Sequence, residues 1–121
     1  MARLWIVVGA VNGLIAVIMA ALAAHGLEAI GAARLQMLRN AVQMHGWHAL
    51  AIVACGIWAM LGGRRLALAA GAAFLAGTIV FCGAVYALAL AQTPVGFLAP
   101  FGGGLLMLGW VLLAMSAVAG R

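Results

Sequence analysis

The sequence predicts an all-α membrane protein, with four transmembrane helices in an antiparallel bundle and a short amphipathic interfacial helix between the first and second. Three observations predict it. Hydrophobic residues make up 69% of the 121-residue chain and charged residues 6%, whereas about a quarter of an ordinary soluble domain is charged. The stretches 4–33, 40–63 and 66–120 contain no Lys or Arg, and Glu28, beyond the apolar run of the first, is the one acidic residue among them. The last of them is interrupted by the polar segment Gln92-Thr93-Pro94-Val95-Gly96, whose proline and glycine mark a turn between two helices.

A spanning helix needs about 20 mostly apolar residues. In the first stretch the apolar run ends at His25, so it holds one span; the second holds one and the third holds two. The expected spans are 4–24, 41–61, 66–91 and 98–119, forming a single domain over 1–121. No segments alternate apolar and polar residues as the strands of a porin-type barrel do. Met1-Ala2-Arg3 and Ala21-Leu22-Ala23 imitate the start and cleavage site of a secretory signal. The apolar run 4–24 exceeds the roughly 7–15 residues of a signal's core, so it is expected to persist as a helix of the mature protein.

Within 26–40, Leu27, Ile30, Leu35 and Leu38 follow one helical face, while Glu28, Gln36, Arg39 and Asn40 crowd another. That pattern predicts the amphipathic helix at the outer interface, running into the second span.

All six cationic side chains are arginines, and Glu28 is the one acidic residue. Arg3, Arg64, Arg65 and Arg121 fall on one side of a four-span chain, and Arg34 and Arg39 on the other. The excess of arginine on cytoplasmic loops puts both termini and the 62–65 turn in the cytoplasm. Trp5 and Trp58 belong to that same face, where tryptophans anchor helices to the interface. The net charge of +5 is thereby read as topology and contact with anionic membrane lipids. No basic cluster interleaved with aromatics suggests nucleic acid.

Without water between them, membrane helices associate through small residues that let backbones approach. Gly9 and Gly13 start such a face on the first span, continued by Ala16, Ala20 and Ala24; Gly77 and Gly83 mark the third span, and Gly102 and Gly109 the fourth. These are the expected packing positions, toward another span, another membrane subunit or a second copy.

Polar side chains at membrane depth are costly and often functional. At 1.5 Å per residue, His48 lies about 10 Å and Tyr86 about 8 Å below the outer ends of their spans. They come out nearly level. His25 ends the first span and Glu28 follows it, which predicts one outer polar cluster of His25, His48, Tyr86 and Glu28. Asn40, Gln43, Gln92 and Thr93 belong to the same level, and His45 sits one turn above His48. Asn12 falls in the inner half of the first span, and Ser116 near the inner end of the fourth.

Three imidazoles can bind zinc or copper, and paired histidines can hold a haem. No cysteine lies near the cluster, however, and no acidic group beyond Glu28 backs it, so no metal or cofactor is expected. Interhelical hydrogen bonding is the favoured role of these histidines. Counting from the outer ends, Cys55 is about 21 Å deep and Cys82 about 14 Å; at different levels, they are read as small hydrophobes rather than a disulfide. The seven methionines show no ligand pattern. No nucleophile–base pair, carboxylate pair or phosphate-binding loop is present, so no catalytic residues are assigned and an enzyme is not expected.

These residues also carry a resemblance. Ala24-His25-Gly26-Leu27, then Trp47-His48-Ala49-Leu50-Ala51, Ala76-Gly77, Phe81-Cys82-Gly83-Ala84-Val85-Tyr86-Ala87-Leu88, Pro100-Phe101-Gly102-Gly103 and Gly109-Trp110 resemble, in order, the domain of unknown function 423 family. That family includes small bacterial inner-membrane proteins and the animal transmembrane protein 256. The resemblance implies four helices and an inner-membrane address. His25, His48 and Tyr86 match its pattern; His45 falls where another polar residue is usual, and Cys82 where serine is common. It implies no biochemical activity. The expected function is therefore that of a non-enzymatic accessory or assembly subunit packing against a larger membrane complex. An oligomeric small-solute transporter or channel is the alternative, and a haem- or metal-binding membrane protein the third.

Overall fold

The computed structural model describes residues 1–119; Gly120, Arg121 and the side chain of Arg64 lie outside the described residues, and with them two arginines of the charge argument. Among the described residues the chain forms the helices α1 (Ala2–Ala24), α2 (Ala32–Met60), α3 (Arg64–Ala91) and α4 (Ala99–Ala119), with 3-10 turns at Glu28–Ile30 and Gly96–Leu98. The breaks have local causes. Gly62 connects α2 to α3 at φ +124°, a conformation that a Cβ disfavours. After α3 the chain turns at Gln92, which is left-handed (φ 53°), and the Thr93 N–H returns to the Ala87 carbonyl at 3.2 Å. Pro94 then prevents the helix from resuming at once.

The expected interfacial helix is not a separate element. Residues 32–40 form the first turns of α2, which runs unbroken for 29 residues. Leu27, Ile30, Leu35 and Leu38 do share a face, but it packs onto Ala23 of α1 and Ala89 and Tyr86 of α3. The apolar side of this segment covers the ends of two helices. With no proline or glycine between Ala32 and Gln43, nothing breaks the helix at Asn40.

Three helical segments are long and apolar enough to cross a membrane: Ala2–Ala24, Arg65–Ala91 and Gly96–Ala119. α2 is long enough but more polar, because its first half carries Arg34, Gln36, Arg39, Asn40, Gln43, His45 and His48.

Successive helices pack in register. On α1 and α2, a Cβ at Gly9 would stand 2.8 Å from the Val53 nitrogen, and one at Gly56 would stand 3.0 Å from the Ile6 nitrogen. α1 thus rises as α2 descends, with glycine on each helix admitting the other's backbone. α3 and α4 interlock by size. Phe74 fills the space over Gly109, Leu106 the space over Gly77, and Phe81 the space over Gly102. The spacings are three and four on both helices, so large meets small at every step. α2 and α3 share the core of Ala51, Ile52, Cys55, Ala70 and Phe74, which Leu106 of α4 completes.

Not every glycine named from the sequence packs this way. Gly83 is exposed, and a Cβ there would meet nothing within 4 Å. One at Gly13 would touch the Ala49 Cβ at 4.0 Å, an ordinary contact. Gly56 and Gly71, not named from the sequence, are closely opposed, by Ile6 and by the Trp5 ring respectively.

Candidate functional site

The two buried histidines head two hydrogen-bonded chains that diverge from α2. In the first, His45 Nδ1 lies 3.0 Å from the Tyr86 hydroxyl of α3, and His45 Nε2 lies 3.3 Å from Asn12 Oδ1 of α1. Asn12 Nδ2 donates to the Val8 carbonyl at 2.9 Å. Because a carbonyl only accepts, that bond orients the Asn12 amide with its oxygen toward the histidine. Neutral His45 then donates from Nε2, and its bare Nδ1 accepts the Tyr86 proton. Every group is satisfied, and three helices are joined through one imidazole.

The second chain starts one turn further along α2. His48 Nδ1 lies 2.7 Å from the Met44 carbonyl, and the Trp110 indole N–H of α4 donates to His48 Nε2 at 3.1 Å. The carbonyl fixes the proton on Nδ1 and the indole, a donor only, requires a bare Nε2. His48 is held as the opposite tautomer to His45. Phe74 stands edge-on to Trp110 (70° between planes, centroids 5.0 Å) and lies 5.6 Å from the His48 ring, closing an aromatic pocket around it.

The outer cluster expected from the sequence is thus rearranged. His48 and Tyr86 do not meet; they belong to separate chains on different sides of α2. The shift follows from α2 beginning at Ala32, which changes the register that made the two look level. His25 and Glu28 are exposed, at the bend and in the 3-10 turn between α1 and α2. Among the described residues neither has a side-chain hydrogen bond to His48 or Tyr86. The partners that the sequence reading missed are His45, Asn12 and Trp110. The signal for Asn12 was available, since it follows Gly9 by three residues and so lies on the face that packs against α2.

Two further polar contacts tie this end together. The half-buried Arg34 donates from Nε to the Ala89 carbonyl at 2.8 Å, in the last turn of α3. The Cys82 thiol points to the Ala41 carbonyl at 3.5 Å. Cys55 and Cys82 are both free and buried. Among the described residues no three His, Cys, Asp or Glu side chains gather in a way that would hold a metal ion.

A helical bundle with three segments long and apolar enough to cross a membrane, and with histidines bonded between its helices, defines a small integral membrane protein. The chain belongs to the family described as protein of unknown function (DUF423), whose model matches residues 19–103. That match includes His25, His45, His48 and Tyr86 and leaves Asn12 and Trp110 outside. The chain is similar to the UPF0382 membrane protein YwdK of Bacillus subtilis, at 34% identity over 96% of this chain and 97% of that protein. It is similar to the UPF0382 membrane protein of Haemophilus influenzae, at 33% identity over 87% of this chain and 86% of that one. It also resembles the UPF0382 inner membrane protein YgdD of Escherichia coli, at 30% identity over 96% and 90% of the two chains. No solved structure matches it.

Proposed function

We propose that this chain is a four-span inner-membrane subunit with both termini in the cytoplasm, acting without catalysis as an accessory or assembly partner within a larger membrane complex. α2 is the most polar of the four helices. It lies alongside α1 from the Gly56–Ile6 contact at one end to the Leu38–Ala23 cluster at the other. A helix that accompanies a spanning helix over that length crosses with it, which makes the helices an antiparallel four-span bundle. Arg3 and Arg65 then mark the cytoplasmic end, and Arg34 and Arg39 the outer one.

The observation that carries the functional reading is the engagement of both deep imidazoles. His45 bonds Tyr86 and Asn12, and His48 bonds the Met44 carbonyl and Trp110. Polar groups spent on one another join helices; a pathway for solute needs groups turned toward an open track. An oligomeric transporter is further disfavoured along α2, whose exposed face is polar at Gln36, Asn40 and Gln43 but apolar from Trp47 to Leu61. The test is purification from native membranes at native expression in a gentle detergent. Recovery with a different membrane protein in fixed ratio is the expected result; recovery free of any other protein would overturn the reading.

A further inference from the structure

The exposed face of α2 differs from every other exposed face of the bundle. Gln36, Asn40, Gln43, Trp47, Leu50, Ala54, Ile57 and Leu61 are all exposed, with Leu50 at 71% and Trp47 at 55%. They recur at alternating intervals of four and three and so form one continuous face of the helix. The outward faces of α1 (Val7, Val11, Leu14, Ile18) and α4 (Met107, Val111, Met115, Val118) are apolar, as lipid contact requires. The α2 face instead carries three carboxamides. Gln36 donates to Asn40 Oδ1 at 2.9 Å, which leaves the Asn40 amino group free, and Gln43 has no side-chain partner among the described residues. Gln43 stands 18 residues before Leu61, about 27 Å along the axis, so it lies near the outer edge of a hydrocarbon layer about 30 Å thick.

We propose that this face binds a second copy of the chain, α2 against α2 in parallel, with Asn40 and Gln43 pairing across a twofold axis normal to the membrane. The proposal rests on α2 crossing the bilayer, as read above. Two properties select a second copy over a different subunit. A carboxamide both donates and accepts, so a band of carboxamides is complementary to itself. Copies that share one orientation in the bilayer are related by an axis along its normal, which returns every side chain to its own depth. Asn40 therefore meets Asn40 and Gln43 meets Gln43 without any shift in height. Gly46 supports the same contact. It lies mid-helix beside Trp47, half-buried, and a Cβ there would meet nothing within 4 Å. Gly9, Gly56, Gly77 and Gly102 each admit a neighbour of this same chain; Gly46 leaves room for a neighbour that the single chain does not supply. Gly83 and Gly104 are as open, but no carboxamide accompanies them on their faces.

Oxidative crosslinking in native membranes tests the proposal, with the two buried native cysteines left in place. Gln43→Cys and Leu50→Cys are expected to give a covalent dimer, whereas Val11→Cys on α1 and Val111→Cys on α4 are not. Replacing both Asn40 and Gln43 by leucine in the Leu50→Cys chain is expected to lower the dimer yield at least tenfold. These side chains are exposed, and the variant's helical circular dichroism and monomer elution check that it folds. Equal crosslinking from all three helices, an unchanged yield in the leucine variant, or crosslinking of the α2 cysteines to a different protein would each overturn the pairing. An impermeant thiol reagent separates this from a failure of the topology. If Gln36→Cys and Met60→Cys react from opposite sides yet no dimer forms, the span stands and the pairing fails. If both react from one side, α2 does not cross and the premise of the pairing falls with it.

Discussion

The hydroxyl of Tyr86 lies 3.0 Å from Nδ1 of His45, so the third helix is bonded to the second through the same ring that reaches Asn12 on the first. Tyr86→Phe removes this donor and leaves a buried imidazole nitrogen without a partner. Interhelical polar contacts in membranes average about 0.6 kcal/mol and reach about 1.7. A loss within that range is expected in reversible unfolding from mixed micelles. Because Tyr86 and Asn12 act through one imidazole, the effects of Tyr86→Phe and Asn12→Leu should not add. Strict additivity would show that His45 does not link them.

The two histidines should carry their protons on different nitrogens. His48 faces a carbonyl at Nδ1 and an indole N–H at Nε2, so it is protonated at Nδ1. His45 is protonated at Nε2, because the Asn12 oxygen accepts there. Nitrogen-15 chemical shifts of the labelled imidazoles distinguish the forms directly. One tautomer common to both rings would contradict the orientation of at least one chain.

Glycine positions separate by what opposes them. A Cβ at Gly102 would stand 2.7 Å from the Phe81 Cα, and backbone cannot rotate away as a side-chain tip can. Gly102→Ala is expected to destabilise by about 1–3 kcal/mol through overpacking. Gly83→Ala meets open space, and should be neutral or stabilising by up to about 1 kcal/mol from helix propensity. Thermal unfolding of the two variants in the same detergent checks the order.

Much of this arrangement was legible in the sequence, and the rest was hidden for physical reasons. The helix ends at Ala24, Ala91 and Ala119 follow from the apolar runs and the Gln92–Gly96 break. The start of α2 did not, because the arginines and amides of 34–43 look like a loop or interface segment. The packing of Leu35 and Leu38 against α1 and α3 outweighs that polarity. Shifting the start of α2 also changed which histidine faced Tyr86. Small-residue spacing alone could not tell Gly77, opposed by Leu106, from Gly83, opposed by nothing. That distinction depends on how each helix is rotated toward its neighbour.

Orientation has its own test. A single cysteine at Gln36, which is exposed near the start of α2, should react with an impermeant reagent added to intact cells or spheroplasts. Reaction only after permeabilisation would reverse the assigned topology.

Arg34 and Arg39 provide a last comparison, since they lie five residues apart on one helix but meet different surroundings. Arg39 is exposed, whereas Arg34 is half-buried and donates to the Ala89 carbonyl at 2.8 Å. Ala89 is in the last turn of α3, where carbonyls lack partners within the helix and the helix dipole favours a cation. Arg34 thereby joins the start of α2 to the end of α3, just beyond the Leu38–Ala89 contact. Arg34→Ala should cost about 1 kcal/mol, because the lost hydrogen bond has a charged donor but is partly open to solvent. Arg39→Ala should cost less than about 0.5 kcal/mol, as at other exposed positions. The readout specific to this role is amide exchange: Arg34→Ala should speed exchange in the last turn of α3 and the Gln92–Gly96 turn, while leaving the middle of α3 unchanged. Arg34→Lys, which keeps the charge but not the Nε geometry, should recover only part of the protection. Full recovery by lysine would assign the effect to charge alone rather than to the bond.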